Sequence, residues 1–102
     1  MRLYETLLLF SPELASDARQ EILDNLTGII EREEGKPLTV DDWGMRDLSY
    51  IVRKQARGHY VRLEYAAPAK TIAELERIIR ITDGIMKFVT VKLADKFVAE
   101  GE

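Results

Sequence analysis

Residues 41–62 read DDWGMRDLSYIVRKQARGHYVR. Their apolar and aromatic residues follow no helical spacing, Gly44 interrupts the first half, and QARG at 55–58 supplies a turn signal. The stretch therefore predicts two antiparallel strands, 36–52 and 59–67, joined through that turn. Pro37 near the start predicts an edge position, because proline has no N–H for a ladder. Gly44 predicts a bulge or bend. The stretch also gathers charge. From residue 43 onward Arg46, Arg53, Lys54, Arg57 and Arg62 stand against Asp47 alone, a local charge of +4. Aromatic side chains are interleaved at Trp43, Tyr50, His59 and Tyr60. Cations and flat rings on extended backbone suit irregular RNA, whose phosphates need charge and whose unstacked bases need faces. The plainer reading is a hairpin with a solvated charged face.

On the N-terminal side, residues 2–10 form a Leu-, Tyr- and Thr-rich run without Gly or Pro. It predicts a strand with Tyr4, Thr6, Leu8 and Phe10 on one side and Leu3, Glu5, Leu7 and Leu9 on the other. Both sides are largely apolar, so the strand is expected at the centre of its sheet. Ser11-Pro12 ends it. A helix follows over about 17–34, opened by Asp17 with Gln20 at capping-box spacing or by Ser16. Its stripe is Ile22, Leu26, Ile29 and Ile30, with Leu23 at the edge, and Gly35 stops it. Gly28 suggests close packing on the sheet. On the C-terminal side Pro68 closes the hairpin. Thr71 with Glu74 repeats the capping-box spacing, opening a helix to about 81 with the stripe Ile72, Leu75, Ile78 and Ile79. Asp83-Gly84 marks a turn, and 85–93 predicts a last strand.

The order strand, helix, strand, strand, helix, strand, with one apolar stripe per helix, implies both helices on one face of one sheet. Two right-handed split βαβ units give a ferredoxin-like α+β sandwich, with a four-stranded antiparallel sheet. Residues 1–96 then make one domain and 97–102 a short tail. The helix-free face carries Leu3, Leu7, Leu9, Tyr60, Arg62, Val89 and Val91. So much apolar surface marks an interaction site.

The chain of 102 residues is 46% hydrophobic and 32% charged, within the range of ordinary globular domains. It has no cysteine and one histidine, which excludes a disulfide framework, a thiolate metal site and a two-histidine relay. The glycines are isolated, so no phosphate-cradling loop is present. Asp41 and Asp42 are neighbours on a strand and point to opposite faces, a poor start for a metal site. No catalysis, cofactor or metal is expected. No apolar run is long enough to span a membrane, and MRLYETLLLF lacks the regions of a signal peptide, so a cytoplasmic protein is expected. The net charge of −3 speaks against a nucleic-acid binder, but its distribution does not. Residues 11–42 carry −6, residues 43–62 carry +4 and residues 77–96 carry +3. This polarity fits one surface toward RNA and another toward a basic partner.

Particular residues now gain weight. Arg2, Tyr4 and Glu5, the block from Asp42 to Tyr50 (DWGMRDLSY), Lys54, Gly58, His59-Tyr60, Pro68, and Arg80-Ile81-Thr82-Asp83 before Val91-Lys92 resemble the sixth protein of the bacterial small ribosomal subunit. The resemblance runs in register over essentially the whole chain. It departs at Ser49 and Ile51, where the family usually has alanine and proline. Members often carry a longer acidic C-terminal extension, so no role of such a tail is expected of a chain ending at Glu102. The resemblance implies a ferredoxin-like fold, no enzymatic activity, and a structural role. It also implies pairing with the eighteenth small-subunit protein, a small basic one, and binding by the pair to the central domain of the small-subunit ribosomal RNA. The free protein is expected to be a monomer.

Two other functions stay open at this point. One is a regulatory or oligomerising ferredoxin-like module that binds a metabolite. The other is a stand-alone RNA-recognition domain, although RGHYVRLE at 57–64 would place His59 and Val61 at its two stacking positions. For RNA, the topology sets the start of the first strand beside the end of the last, joining Arg2, Lys92 and Lys96. Arg46, Arg53, Lys54 and Arg57 form a second group on the hairpin. The open-face residues Leu3, Leu7, Leu9, Tyr60, Arg62, Val89 and Val91 are expected to take the protein partner.

Overall fold

Strand β1 (Arg2–Phe10) lies in the middle of the sheet because it has apolar side chains to bury on both sides. In the computed structural model, which describes residues 1–96, it is followed by α1 (Ser16–Arg32), β2 (Lys36–Val52), β3 (Gln55–Ala67), α2 (Ala69–Ile81) and β4 (Ile85–Ala94). The expected tail at 97–102 lies outside the described residues. The sheet order is β2-β3-β1-β4 with every pair antiparallel, the expected ferredoxin-like arrangement. Pro37 accordingly lies on an edge strand.

The alternation in β1 divides the molecule into two faces. Tyr4, Thr6, Leu8 and Phe10 are buried together with Val61, Leu63 and Tyr65 of β3. Leu26 and Ile30 of α1 and Leu75 and Ile79 of α2 close the core from the other side. Thr6 is polar but fully buried, and its hydroxyl is satisfied by Tyr65 Oη at 2.9 Å and Thr90 Oγ1 at 3.0 Å. Burial is the chief cause that pushes the Tyr65 phenol up to about 12, so it remains neutral and able to donate.

Both helices begin earlier than their capping-box spacings suggest. Ala15 occupies the N-cap of α1, no side chain caps it, and the Asp17 carboxylate accepts from the Ala18 N–H instead. Pro68, whose fixed φ suits a helix entry, occupies the N-cap of α2. That places Thr71 inside the first turn, where its hydroxyl donates to the Glu33 carbonyl at 3.2 Å. What reads as a cap is a tie between the two helices. The buried face of α1 is centred on Leu23, Leu26, Ile29 and Ile30, with Ile22 at its margin. Gly28 meets nothing within 4 Å, so it does not mark a close approach. Gly35 does. Glu34 takes the left-handed conformation (φ 71°), and the Gly35 N–H bonds to the Ile30 carbonyl at 2.7 Å, a Schellman-type end. A Cβ on Gly35 would lie 2.7 Å from Ile30 Cγ2.

The hairpin turn also differs from the expectation. It falls at Arg53 and Lys54, with φ of 48° and 67°, and Val52 pairs with Gln55. Two positive φ values define the primed type of two-residue turn, usually built from Asn-Gly. The Gly at 58, read as part of the turn, lies inside β3 for another reason. A Cβ there would lie 2.3 Å from Leu9 Cδ1, so the glycine leaves room for the leucine side chain leaning across from β1. Gly44 behaves as expected, at a register shift in β2 with φ 82°.

Candidate partner and nucleic-acid interfaces

The helix-free face is built by register. Leu7 pairs with Arg62 across β1 and β3 and with Val89 across β1 and β4, while Asp41 of β2 pairs with Arg62. Glu5 and Glu64 lie directly opposite each other. Like charges so placed repel, and Arg62 resolves the repulsion. Its Nε donates to Glu5, Nη1 to Asp41 at 3.2 Å and Nη2 to Glu64 at 3.0 Å. The Glu5 hydrogen bond above all, then Glu64, raises the Arg62 pKa above its ordinary value. One guanidinium among three carboxylates leaves two negative charges in excess on this part of the face.

Beside the cluster the surface is apolar and aromatic. The Trp43 and Tyr60 rings lie 6.4 Å apart, and the Arg46 guanidinium sits 5.5 Å from the Trp43 ring. Leu7, Leu9, Tyr60, Phe88 and Val89 line a shallow groove of about 190 Å³, with Lys87 at its edge bonded to Tyr50. Of the expected partner residues, Leu9 is 3% exposed and lines the groove, its side chain lying against Gly58. Val89 and Val91 are exposed, and Leu3, Leu7 and Tyr60 are half-buried. The edge strand adds Trp43 and Tyr50, both exposed; its exposed Val40 and Met45 pair with Leu63 and His59 and so lie on the helix side.

The β2 bulge is pinned by a side-chain pair. His59, which is largely buried, bonds through Nε2 to Asp42 Oδ1, which also accepts the Gly44 N–H at 2.9 Å. An ionised carboxylate only accepts, so Nε2 carries the proton. Burial pushes the Asp42 carboxyl up, but the His59 and Gly44 hydrogen bonds outweigh it and its pKa falls below 3.8. A depressed folded-state pKa gives stability that is present above the unfolded value and lost as pH falls through the folded one. Asp42→Asn is therefore expected to be less stable by about 0.2–1 kcal/mol at pH 6, the range of solvent-screened pairs. Denaturation series at falling pH should show that difference close below about pH 4. A constant gap down to pH 2 would assign it to something other than ionisation.

The two expected RNA groups occupy opposite ends of the sheet. Leu3 pairs with Ala94 and Tyr4 with Lys92, which brings Arg2, Lys92 and Lys96 to one end as anticipated. Asp95 stands among them. It accepts from Lys92, which lowers its pKa, and the Arg2 charge lowers it further. At the other end Arg57 pairs with Asp47 at 3.0 Å, while Arg53 and Lys54 form the turn itself. Arg80 and Lys87, absent from the expected set, join that end. His59 and Val61, the two stacking positions of an RNA-recognition domain, face inward and are buried, so bases cannot stack there. Among the described residues no group of three His, Cys, Asp or Glu is placed to hold a metal ion. No helix among them is long and apolar enough to cross a membrane.

An antiparallel sandwich with one open, acid-and-apolar face and cations at both ends of its sheet defines a ferredoxin-like binding module. The sequence profile described as ribosomal protein S6 matches residues 3–92. The chain belongs to the ribosomal protein S6 family, a family of structural proteins rather than enzymes. It is 66% identical over 101 residues to small ribosomal subunit protein bS6 of Solidesulfovibrio magneticus, covering 99% of each chain. The corresponding Nitratidesulfovibrio vulgaris protein (strain DP4) is 70% identical over 95 residues, covering 93% of this chain and 94% of that one. Among solved structures, 30S ribosomal protein S6 of Thermotoga maritima superposes with a TM-score of 0.84 at 27% identity, covering 89% of this chain and 86% of that one.

Proposed function

We propose that the protein is a structural constituent of the small ribosomal subunit that binds the central domain of small-subunit ribosomal RNA together with the eighteenth small-subunit protein. The observation that carries this reading is the separation of charge on the sheet. The open face has two excess negative charges around Arg62, beside apolar Leu7, Tyr60, Val89 and Val91. Cations gather at the sheet ends, Lys92 and Arg57 among them each paired with one carboxylate. A small basic protein fits the first surface: its apolar anchors fill the groove while the carboxylates steer its charge. RNA phosphates fit the second. The paired complex then offers RNA a basic surface that this chain, at net charge −3, does not present alone. A metabolite-binding role gains no support from the groove, whose 190 Å³ falls below the usual size of small-molecule pockets.

Arg2, Lys92 and Lys96 are the first RNA contact in this reading, because they sit at two strand ends whose geometry is already set, so less entropy is lost on binding. Arg46, Arg53, Lys54 and Arg57 are the second. The charge reversal Arg2→Glu with Lys92→Glu is expected to weaken RNA binding by the protein pair and to flatten its dependence on salt, since fewer counterions are released. Protein–protein pairing should be unchanged. An RNA affinity and salt slope equal to those of the unaltered pair would remove this end from the RNA interface.

A further inference from the structure

The end of the sheet away from Arg2 holds a feature that no reading of the hairpin alone predicts. Arg53 from the β2–β3 turn, Arg80 from the last turn of α2 and Lys87 from the start of β4 frame one depression of about 210 Å³, floored by Ile79, Ile85, Met86 and Phe88. Two of the three cations are held by side-chain contacts. The Arg80 guanidinium lies 5.4 Å from the Phe88 ring, with only a long 3.5 Å contact to Glu76. Lys87 Nζ donates to Tyr50 Oη at 2.8 Å, and this bond is the chief cause that keeps the Lys87 pKa above its ordinary value. Among the described residues neither Arg53 nor Lys87 is paired with a carboxylate. The turn itself bears on this. Arg53 and Lys54 hold left-handed backbone that Asn-Gly would adopt more easily, and the turn presents both cations at the hairpin tip.

The position of the depression matters as much as its charge. Phe10 pairs with Ile85 and Leu9 with Lys87, whereas Leu3 pairs with Ala94, so this site and the Arg2–Lys92 group lie at opposite ends of β1. The molecule is 44 Å long. Between the two ends lies the face on which Glu5, Asp41 and Glu64 surround Arg62. A single RNA strand running from end to end across that face would cross excess negative charge, and the face is also the one assigned to the protein partner.

Resting on the RNA-binding reading above, we propose that the Arg53–Arg80–Lys87 depression is a second phosphate-binding site for ribosomal RNA and that the protein bridges two separate RNA segments, one at each end of its sheet. Such a site holds the backbone and carries no base specificity of its own. It contributes to assembly by fixing the distance between the segments.

The chain has no cysteine, so single introduced cysteines address a probe uniquely. Ala56→Cys near the hairpin tip and Ala94→Cys at the end of β4, each carrying a tethered iron chelate, would be bound with the eighteenth protein to the central-domain RNA. Hydroxyl-radical cleavage is expected in two non-overlapping RNA segments, one for each tether. In parallel, Arg53→Gln with Arg80→Gln and Lys87→Gln should reduce the magnitude of the log–log salt slope of RNA binding by about 2–3, and the single exposed change Arg53→Gln by about 1. The site is overturned if both tethers cleave one segment, or if the tip tether cleaves none. It is also overturned if the Gln variants, folded as judged by an unchanged unfolding midpoint, keep the full salt slope while the unaltered pair binds. Failure of the unaltered pair to bind RNA would overturn the functional reading and this site together.

Discussion

Leu26→Ala is expected to lower the free energy of unfolding by about 2–5 kcal/mol, the range for deleting a fully buried leucine side chain and leaving a cavity. Leu26 is completely inaccessible, within the same buried cluster as Leu8, Leu63 and Leu75. Two helices lie on one sheet, so little else exists to collapse into the space. Ile22→Ala, at the margin of the same helix face, should cost clearly less. Urea titrations of the two variants test this directly. A Leu26→Ala loss within about 0.5 kcal/mol, as for an ordinary surface position, would contradict the helix register.

The second large effect concerns the open face. Leu7→Lys should leave the unfolding free energy within about 1 kcal/mol, since Leu7 is only half-buried and lies outside the helix-side core. It should nonetheless weaken pairing with the eighteenth protein by about 100-fold, or roughly 2.8 kcal/mol. The substitution removes an apolar anchor and places a cation next to Arg62, which a basic partner would have to approach. Tyr60→Lys, beside Trp43 and the same groove, should act in the same direction. Isothermal titration of the two proteins reads the effect. Pairing within about twofold of the unaltered protein for both variants would place the interface elsewhere, with the exposed β2 edge next to be tested.

How far the sequence carries the fold follows from which signals are local. Alternation in β1 assigns Tyr4, Thr6, Leu8 and Phe10 to the core side, and the structure buries all four. Pro37 and Gly44 act within their own strand, and both predict what is found. Gly58 misleads because its role is set by Leu9, 49 positions away in sequence, and not by a turn. Arg53-Lys54 escapes notice because neither residue favours positive φ; the turn is imposed by the pairing of the strands around it. Thr71 with Glu74 matches a capping pattern, yet Pro68 starts the helix first and leaves the Thr71 hydroxyl for Glu33.

The candidate surfaces divide in the same way. The apolar members of the open face follow from alternation, but the acids around Arg62 need the register of three strands before they converge. Leu9 shares the parity of Leu7 but is buried, its side chain lying where a Cβ on residue 58 would stand. The meeting of Arg2 with Lys92 follows from topology alone. Asp95 among them does not, because it lies just beyond the β4 strand, where alternation no longer sets the direction of a side chain. Arg80 and Lys87 are ordinary surface cations in sequence and become a site only when the hairpin tip brings Arg53 beside them.

The central claim is that this acidic chain acquires its RNA affinity as one half of a pair. The most direct measurement titrates a central-domain ribosomal RNA fragment, at one fixed salt concentration, with this protein alone, with the eighteenth small-subunit protein alone, and with both. The account predicts tight binding for the pair and binding at least about 100-fold weaker for this protein alone, a difference of roughly 2.8 kcal/mol. Equal affinity of this protein with and without the partner would contradict it.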